Sequence, residues 1–484
     1  MRNIWKRTLA LICALILCSS CAEALAEFSP RLAEMEKGEG MTVSLKGSLD
    51  SLSPLSKQSA AIVNEWLSHL EVLCSVGKST QAELKMDGES IYALSVQKQN
   101  GYTLTAFSPS MGAYLTEPDG KNALELLTGG EAWMDFGKLP GLYAALAPVL
   151  YPALTEYVAP KLTKEPTSIK NADRAASYEN YTFKDGKLNE AWDSVLDKVL
   201  PLLREAMSDQ PYRFAQAEEL LRSLEFSGEC RFKRFLDKEG KELGMQFTGV
   251  AARGEDKRKV TLFGGYTPDK GGYLSLTLPA TAGKNNLKIT LSEKLTKKNS
   301  VNTLALEGAY TRTLNGATES GSLDATIKNT IKEEAEQWTG KATVTFTQNK
   351  EKTTWVLTPD LSFTDEGLSG TVSIQKKSGS KVTGKGAVQL KISAYEALTL
   401  PSPASAKDLR GLAEERARAA VLTELAPLGG VVGQLAALLP ENDRTHLLHD
   451  LRTDEWMNGP TVPAAGDQSA PDDGGWTVEE DELQ

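Results

Sequence analysis

Between Glu225 and Pro401 the chain alternates between apolar and polar positions. The period of two is carried by KVTLFGGY (Lys259 to Tyr266), YLSLTL (Tyr273 to Leu278), LKITLSEKL (Leu287 to Leu295), TLALEGAYTRTL (Thr303 to Leu314), ATVTFT (Ala342 to Thr347), TWVLT (Thr354 to Thr358), GTVSIQ (Gly370 to Gln375) and AVQLKIS (Ala387 to Ser393). Successive side chains of a strand point to opposite faces, so this pattern predicts strands with one apolar and one wet side. In the last segment Val388, Leu390 and Ile392 share one side, and Gln389, Lys391 and Ser393 share the other. Many such strands with short connections predict an antiparallel meander, whose apolar side has to be covered by helices, a second sheet or a ligand.

The preceding part of the chain mixes periods. MTVSLKGSL (Met41 to Leu49) alternates, whereas Ser56 to Leu73 places Ile62, Trp66, Leu70 and Leu73 on one helical stripe with Ser56 as its N-cap. Ala82 to Phe107 then alternates through Asp87-Gly88 and Asn100-Gly101, dipeptides that supply the positive φ of tight hairpins. The apolar run from Leu139 to Val158 holds Pro140, Pro148 and Pro152, which predict several short helices in place of one continuous span. After a strand at Ser177 to Phe183, amphipathic helices are expected at Asn189 to Met207 and Tyr212 to Leu224. Beyond the meander lie an alanine-rich helix at Asp408 to Leu425 and helices at Val431 to Pro440 and Asn442 to Leu451. The fold class expected is α+β: a large curved antiparallel meander with amphipathic helices on its apolar face.

Two helix ends read alike. LSHLEVL (Leu67 to Leu73) and LRSLEF (Leu221 to Phe226) share Leu-x-x-Leu-Glu, each is followed by a cysteine, and each then meets a turn, at Asp87-Gly88-Glu89 or Glu239-Gly240-Lys241. This suggests two helix-plus-meander halves. The units expected are 1–26 as a signal peptide, 27–121 as strand, helix and hairpins, 122–224 as mainly helical, 225–401 as the sheet, 402–457 as C-terminal helices, and 458–484 as a tail.

The first residues change the picture of where the protein works. Arg2, Lys6 and Arg7 precede an apolar run from Leu9 to Leu17, and Ala24 and Ala26 provide small residues at −3 and −1 of a cleavage site. The expectation is export with cleavage between Ala26 and Glu27, to the envelope or the extracellular space. The alternative is lipidation at Cys21, where Ser19 and Ser20 supply small residues but Leu17 stands one place too far back. A metal or redox Cys-x-x-Cys at Cys18 and Cys21 fits less well, because either processing event separates or removes the pair. The remaining cysteines, Cys74 and Cys230, then face an oxidising compartment, as a disulfide or as two buried thiols.

Composition narrows the function. Net charge is -10 over 484 residues, which argues against nucleic-acid or anionic-membrane binding, since both need a concentrated basic surface. Three histidines leave little material for catalysis or metals. Ser75 to Thr80 (SVGKST) resembles the end of a phosphate loop, but Val72 stands where the first glycine is needed. Ser373 and Lys376 have the spacing of a serine–lysine pair, yet on a strand they point to opposite faces. His446 and His449 share a helical face without a third ligand, and His69 beside Trp66 reads as a helix residue. No catalytic, cofactor or metal constellation is expected, nor a membrane span after the signal. From Asn458 onward there are seven acidic residues and no basic one, a composition that cannot form a core.

In outline, Glu225 to Leu425 resembles the LolA, LppX and RseB group of envelope proteins, in which a half-open barrel is plugged by helices. It is also similar to uncharacterised leucine- and strand-rich secreted proteins of Gram-positive gut bacteria. The resemblance implies a non-enzymatic exported protein that holds a lipid or other hydrophobic ligand between sheet and helices, with the ligand or an envelope component as its partner. The competing expectation is a structural or interaction protein of the cell surface whose sheet is filled by its own side chains. An apolar cavity of several hundred cubic ångströms would favour the first, and a packed interior the second.

Overall fold

The computed structural model describes residues 28–451, except for segments at 37–39, 78, 119, 129–137, 171–172, 185, 208–210, 255, 268–270, 280–285, 315–316, 333–334, 349 and 397–404. The expected leader, with Cys18, Cys21, Ala26 and Glu27, and the acidic tail lie outside the described residues.

The described chain opens with helix α1 (Pro30–Glu36), strand β1 (Gly40–Leu52) and helix α2 (Lys57–Ser68). A meander follows: β2 (Leu70–Gly77), β3 (Thr80–Met86), β4 (Glu89–Gln99), β5 (Tyr102–Ser108) and β6 (Ala113–Thr116). Helices α3 (Ala123–Thr128) and α4 (Lys138–Thr155), strands β7 (Lys161–Thr163) and β8 (Ser177–Phe183), and helices α5 (Lys187–Ala206) and α6 (Pro211–Arg222) come next. The long meander comprises β9 (Glu225–Leu236), β10 (Glu242–Arg253), β11 (Asp256–Thr267), β12 (Gly271–Pro279), β13 (Asn286–Lys298), β14 (Val301–Leu314), β15 (Ala317–Lys332), β16 (Ala335–Gln348), β17 (Glu351–Thr364), β18 (Gly367–Ser378) and β19 (Lys381–Ala394). A short strand β20 (Lys407–Asp408) leads to α7 (Glu414–Leu422), a 3-10 turn at Thr423–Leu425, α8 (Ala426–Leu438) and α9 (Glu441–Leu451).

The strands form one open sheet of twenty. Each meander pairs strand to strand in chain order, and the two are joined where β1 pairs antiparallel with both β2 and β19, Leu45 facing Leu390 and Val43 facing Ile392. Strand β20 adds to β6 in parallel, and β7 closes the other end on β8. The alternation in the sequence explains the register, because sliding one strand by one residue would turn its whole apolar set to water.

Several elements depart from the expectations. Helix α2 begins as expected, with Ser56 Oγ accepting from Ser59 N at 3.1 Å, but it stops at Ser68. Leu70 and Leu73 belong to β2, where pairing with both β1 and β3 satisfies the backbone. The Leu-x-x-Leu-Glu segments therefore straddle a helix-to-strand change at both places, since α6 also ends before β9 starts at Glu225. Helix α4 is one helix through Pro148 and Pro152. The two prolines, four residues apart, share the solvent side, so the carbonyls they leave unbonded can reach water while Tyr151 and Leu154 stay buried. The alanine-rich helix starts at Glu414, not Asp408, because Gly411 takes φ +73° and turns the chain first.

The helices also cover other strands than expected. Helix α5 buries Leu188, Ala191, Val195 and Leu196, and with α4 it packs on Phe232 and Phe247 of β9 and β10. Helices α3 and α7 cover Tyr92, Leu94, Phe107 and Tyr114 of β4 to β6, while Leu435 of α8 and Leu439 at its C-cap pack with Val63 of α2. None of these helices contributes to the core on β13 to β19. The run Glu414–Leu438 is long and apolar enough to cross a membrane by length and composition. Here its 3-10 turn buries Glu424, which accepts a hydrogen bond from Tyr114 Oη at 2.6 Å and another from Ser110 Oγ. Burial foremost, with Glu424 beside it, pushes the Tyr114 hydroxyl up to about 12. Replacing Glu424 by Ala leaves that hydroxyl buried without its charged acceptor. The expected cost is about 2 kcal/mol, to be read as a lower midpoint in urea.

Candidate functional site

The central strands carry the largest apolar face, and it is closed by the start of the described chain. Leu45 of β1 joins Leu295, Leu304, Leu306, Ala325, Trp338, Val344, Trp355, Leu357, Leu368, Leu390 and Ile392 in one buried cluster. Among the described residues, only Phe28, Leu32 and Met35 enter it from outside the sheet. The Phe28 ring meets Trp338 edge-on, with centroids 5.0 Å apart, a geometry that places the positive ring edge against the negative face.

A buried polar latch fixes this segment. Asn329 Nδ2 donates to the Phe28 carbonyl at 2.8 Å and to Glu336 Oε2 at 2.7 Å, and Asn302 Nδ2 donates to the same carbonyl at 3.2 Å. Ser29 Oγ donates to Glu336 Oε2 at 2.6 Å, and the Arg31 N–H donates to Glu336 Oε1 at 3.2 Å. Ser29 also caps α1 by accepting from Leu32 N at 3.3 Å. Glu336 is 3% exposed and Asn329 and Ser29 are fully buried, so these bonds are what make the burial of a carboxylate and an amide tolerable. Two polar atoms stay unsatisfied: Trp338 Nε1 and Asn329 Oδ1 are buried without a hydrogen-bond partner.

The sequence contained a signal for the latch that alternation alone passes over. Asn302, Asn329 and Glu336 each stand two places from an apolar residue of the covered face: Leu304, Ile327 and Trp338. A polar residue in an inward position demands a partner, but the partner, Phe28 to Arg31, lies some three hundred residues away in sequence.

A further hollow of about 510 Å³ opens beside α4, lined by Tyr151, Thr155, Glu156, Glu179, Tyr181 and Arg234. Its cation is already engaged. Arg234 lies 2.8 Å from Glu242 and 3.4 Å from Glu179, with its guanidinium 4.9 Å from the centre of the Tyr151 ring. The guanidinium is already shared by two carboxylates, so the hollow offers no strong recognition of an anion.

The residues singled out from sequence do not converge. Cys74 on β2 and Cys230 on β9 are separate thiols, with β1 and β10 to β19 between their strands. The disulfide alternative is therefore not made here, because the two cysteines occupy distant strands of one sheet. Burial raises the Cys230 thiol above its ordinary value, which keeps it protonated and unreactive. Ser373 pairs with Thr358 and Lys376 with Trp355, on opposite faces of β18. His446 is exposed on α9, and no group of three metal-ligating side chains occurs among the described residues. His69 donates or accepts at 2.5 Å from Asp87 and is raised by that contact, at an exposed helix end.

The neighbouring Asp443 has a structural role. It accepts from Ser59 Oγ at 2.5 Å and from Ser56 N at 3.2 Å, and the Ser59 bond, ahead of those from Ser56, holds its carboxyl below the usual range. A depressed carboxyl contributes stability that is present above the ordinary carboxylate pKa and lost as pH falls through the depressed one. Asp443→Asn is thus expected to remove part of the acid-sensitive stability of α2, as seen by amide exchange across Lys57–Ser68 at pH 7 and pH 3.

Comparison with known proteins adds no assignment: no family model, no characterised protein and no solved structure matches this chain.

Proposed function

We propose that this is an exported, non-enzymatic protein of the envelope or cell surface, built as a structural or interaction module whose sheet is filled from within. The observation that carries this reading is the central core. Ile392, Leu368, Leu357 and Ala342 are 0 to 1% exposed, and Phe28 and Leu32 of the same chain occupy the position a ligand would need. The LolA-like outline belongs to the same proposal. In support, β1–α2–β2 and β8–α5–α6–β9 each run strand, helix and antiparallel return, and each return strand bears its cysteine. Two related halves account for that correspondence.

A second reading is favoured by the unsatisfied Trp338 Nε1 and Asn329 Oδ1. Each unpaired buried group costs roughly 1–3 kcal/mol, which weakens the hold of residues 28–36 on the face. A hydrophobic ligand whose polar end both donates and accepts would satisfy them and displace the segment. Mass spectrometry of organic extracts from the natively purified protein separates the two. The first reading expects no stoichiometric lipid, either from the intact protein or from Glu336→Gln, in which one carboxylate oxygen becomes an NH2 donor and Ser29, Asn329 and the Arg31 N–H can no longer all donate to residue 336. A lipid recovered near one per chain would reverse the order of the two readings.

A further inference from the structure

The central sheet has one strongly basic end. The tip of the β16–β17 hairpin carries Lys350 and Lys352, and the β18–β19 hairpin beside it carries Lys376, Lys377, Lys381 and Lys385. The two tips touch, since Gly379 N donates to the Lys352 carbonyl at 3.1 Å. Register places Lys377 opposite Thr354 and Lys385 opposite Gln375, on the wet face with Lys352, while Lys376 sits with its Nζ 5.6 Å from the Trp355 ring centre on the other side. Lys350, Lys352, Lys381 and Lys385 are exposed, with Val382 39% exposed between them. The other charges at this end include Glu351, Asp50 and the Arg312–Glu319 pair on the neighbouring β14–β15 hairpin, and none of the six lysines has a carboxylate within ion-pair distance among the described residues. A cluster of like charges this dense repels itself and attracts an anionic partner.

The chain carries such a partner. From Asp467 to Glu482 there are seven acidic residues, Asp467, Asp472, Asp473, Glu479, Glu480, Asp481 and Glu482, and no basic one. The segment follows α9, and α9 is anchored next to the lysines. Asp443 of α9 bonds Ser56, and Ser53, three residues before it, donates its N–H to Thr383 O at 2.7 Å in the lysine hairpin. A flexible chain of the length from Leu451 to Glu482 has a typical end-to-end distance of about 28–33 Å, a span over which the acids can meet the lysines. A tether of that length holds the acids at a local concentration on the order of millimolar.

We infer that the acidic segment Asp467–Glu482 docks on the lysine end formed by the β16–β17 and β18–β19 hairpins, and so occupies that surface ahead of any other polyanion. Attraction between exposed charges of this kind is screened by salt, since the Debye length shortens from about 30 Å at 0.01 M to about 3 Å at 1 M.

Zero-length carbodiimide coupling of the intact protein tests this, because it joins only amines and carboxylates already in contact. The expected result is links from Lys352, Lys377, Lys381 or Lys385 to Glu479–Glu482 at low salt, falling about tenfold at 1 M salt. The fourfold variant K352E, K377E, K381E, K385E should lose them while keeping its circular dichroism spectrum. In the full chain with E479Q, E480Q, D481N and E482Q, the lysine end should gain binding to phosphatidylglycerol vesicles that the unaltered chain lacks. Absence of the links at low salt, or vesicle binding by the unaltered chain equal to that of the neutralised one, would overturn the inference and leave an anionic surface as the partner.

Discussion

Phe28→Ala should destabilise the folded protein by about 3–5 kcal/mol, the range for truncating a fully buried phenylalanine in a core that cannot collapse around the loss. Phe28 is 1% exposed and sits edge-on to Trp338, and its carbonyl is the acceptor for both Asn302 and Asn329. Losing the ring opens the central face from above, because among the described residues no residue of the other helices enters that core. The transition midpoint in urea should therefore fall, and the emission of Trp338 and Trp355 should move to longer wavelength before the global transition. A loss below about 1 kcal/mol, with unchanged emission, would mean that the sheet closes on itself and residues 28–36 are an ornament on it.

Glu293→Gln should do the opposite and stabilise the protein, but only above weakly acidic pH. Glu293 lies on β13 between Leu291 and Leu295, on the side that faces the apolar cluster, and register sets it beside Leu306 of β14. Burial pushes its carboxyl up to about 7 from an ordinary 4.5. The folded state keeps the proton that the unfolded chain releases above about 4.5, so stability is intact below that pH and declines as pH rises toward 7. Glutamine has the same shape and no such proton. The variant should match the parent at pH 4 and exceed it at pH 8 by up to about 3 kcal/mol, from 1.36 kcal/mol per pKa unit. Urea titrations at the two pH values give the difference directly; equal differences at both would show that ionisation of Glu293 is not what the burial opposes.

The same residue shows how far alternation carries and where it stops. Leu295, Leu304, Leu306, Trp355, Leu357, Leu390 and Ile392 are legible from period two, and all of them are in the central core. The hairpins at Asp87-Gly88 and Asn100-Gly101 were equally legible, because a positive φ, observed at +86° and +89° for the two glycines, is a local demand that few residues meet. Asn302, Asn329 and Glu336 break the pattern visibly, yet nothing local names the group each one bonds. The candidate site as a whole was therefore only half legible: the greasy side could be read, and the plug and latch could not.

What the sequence by itself determined is most of the strands, the side of each that must avoid water, and helices whose stripes repeat at three and four, such as Leu196, Leu200 and Leu203. These follow from short-range periodicity, which acts within a few residues. What only the tertiary structure decided is pairing across long loops: β1 against β19, Phe28 to Arg31 against Asn329 and Glu336, Asp443 against the start of α2, and the wide separation of Cys74 from Cys230. Apolar faces of similar size are interchangeable partners as far as burial alone is concerned. The choice among them is made by directional bonds and by chain connectivity, and both exist only once the sheet is assembled.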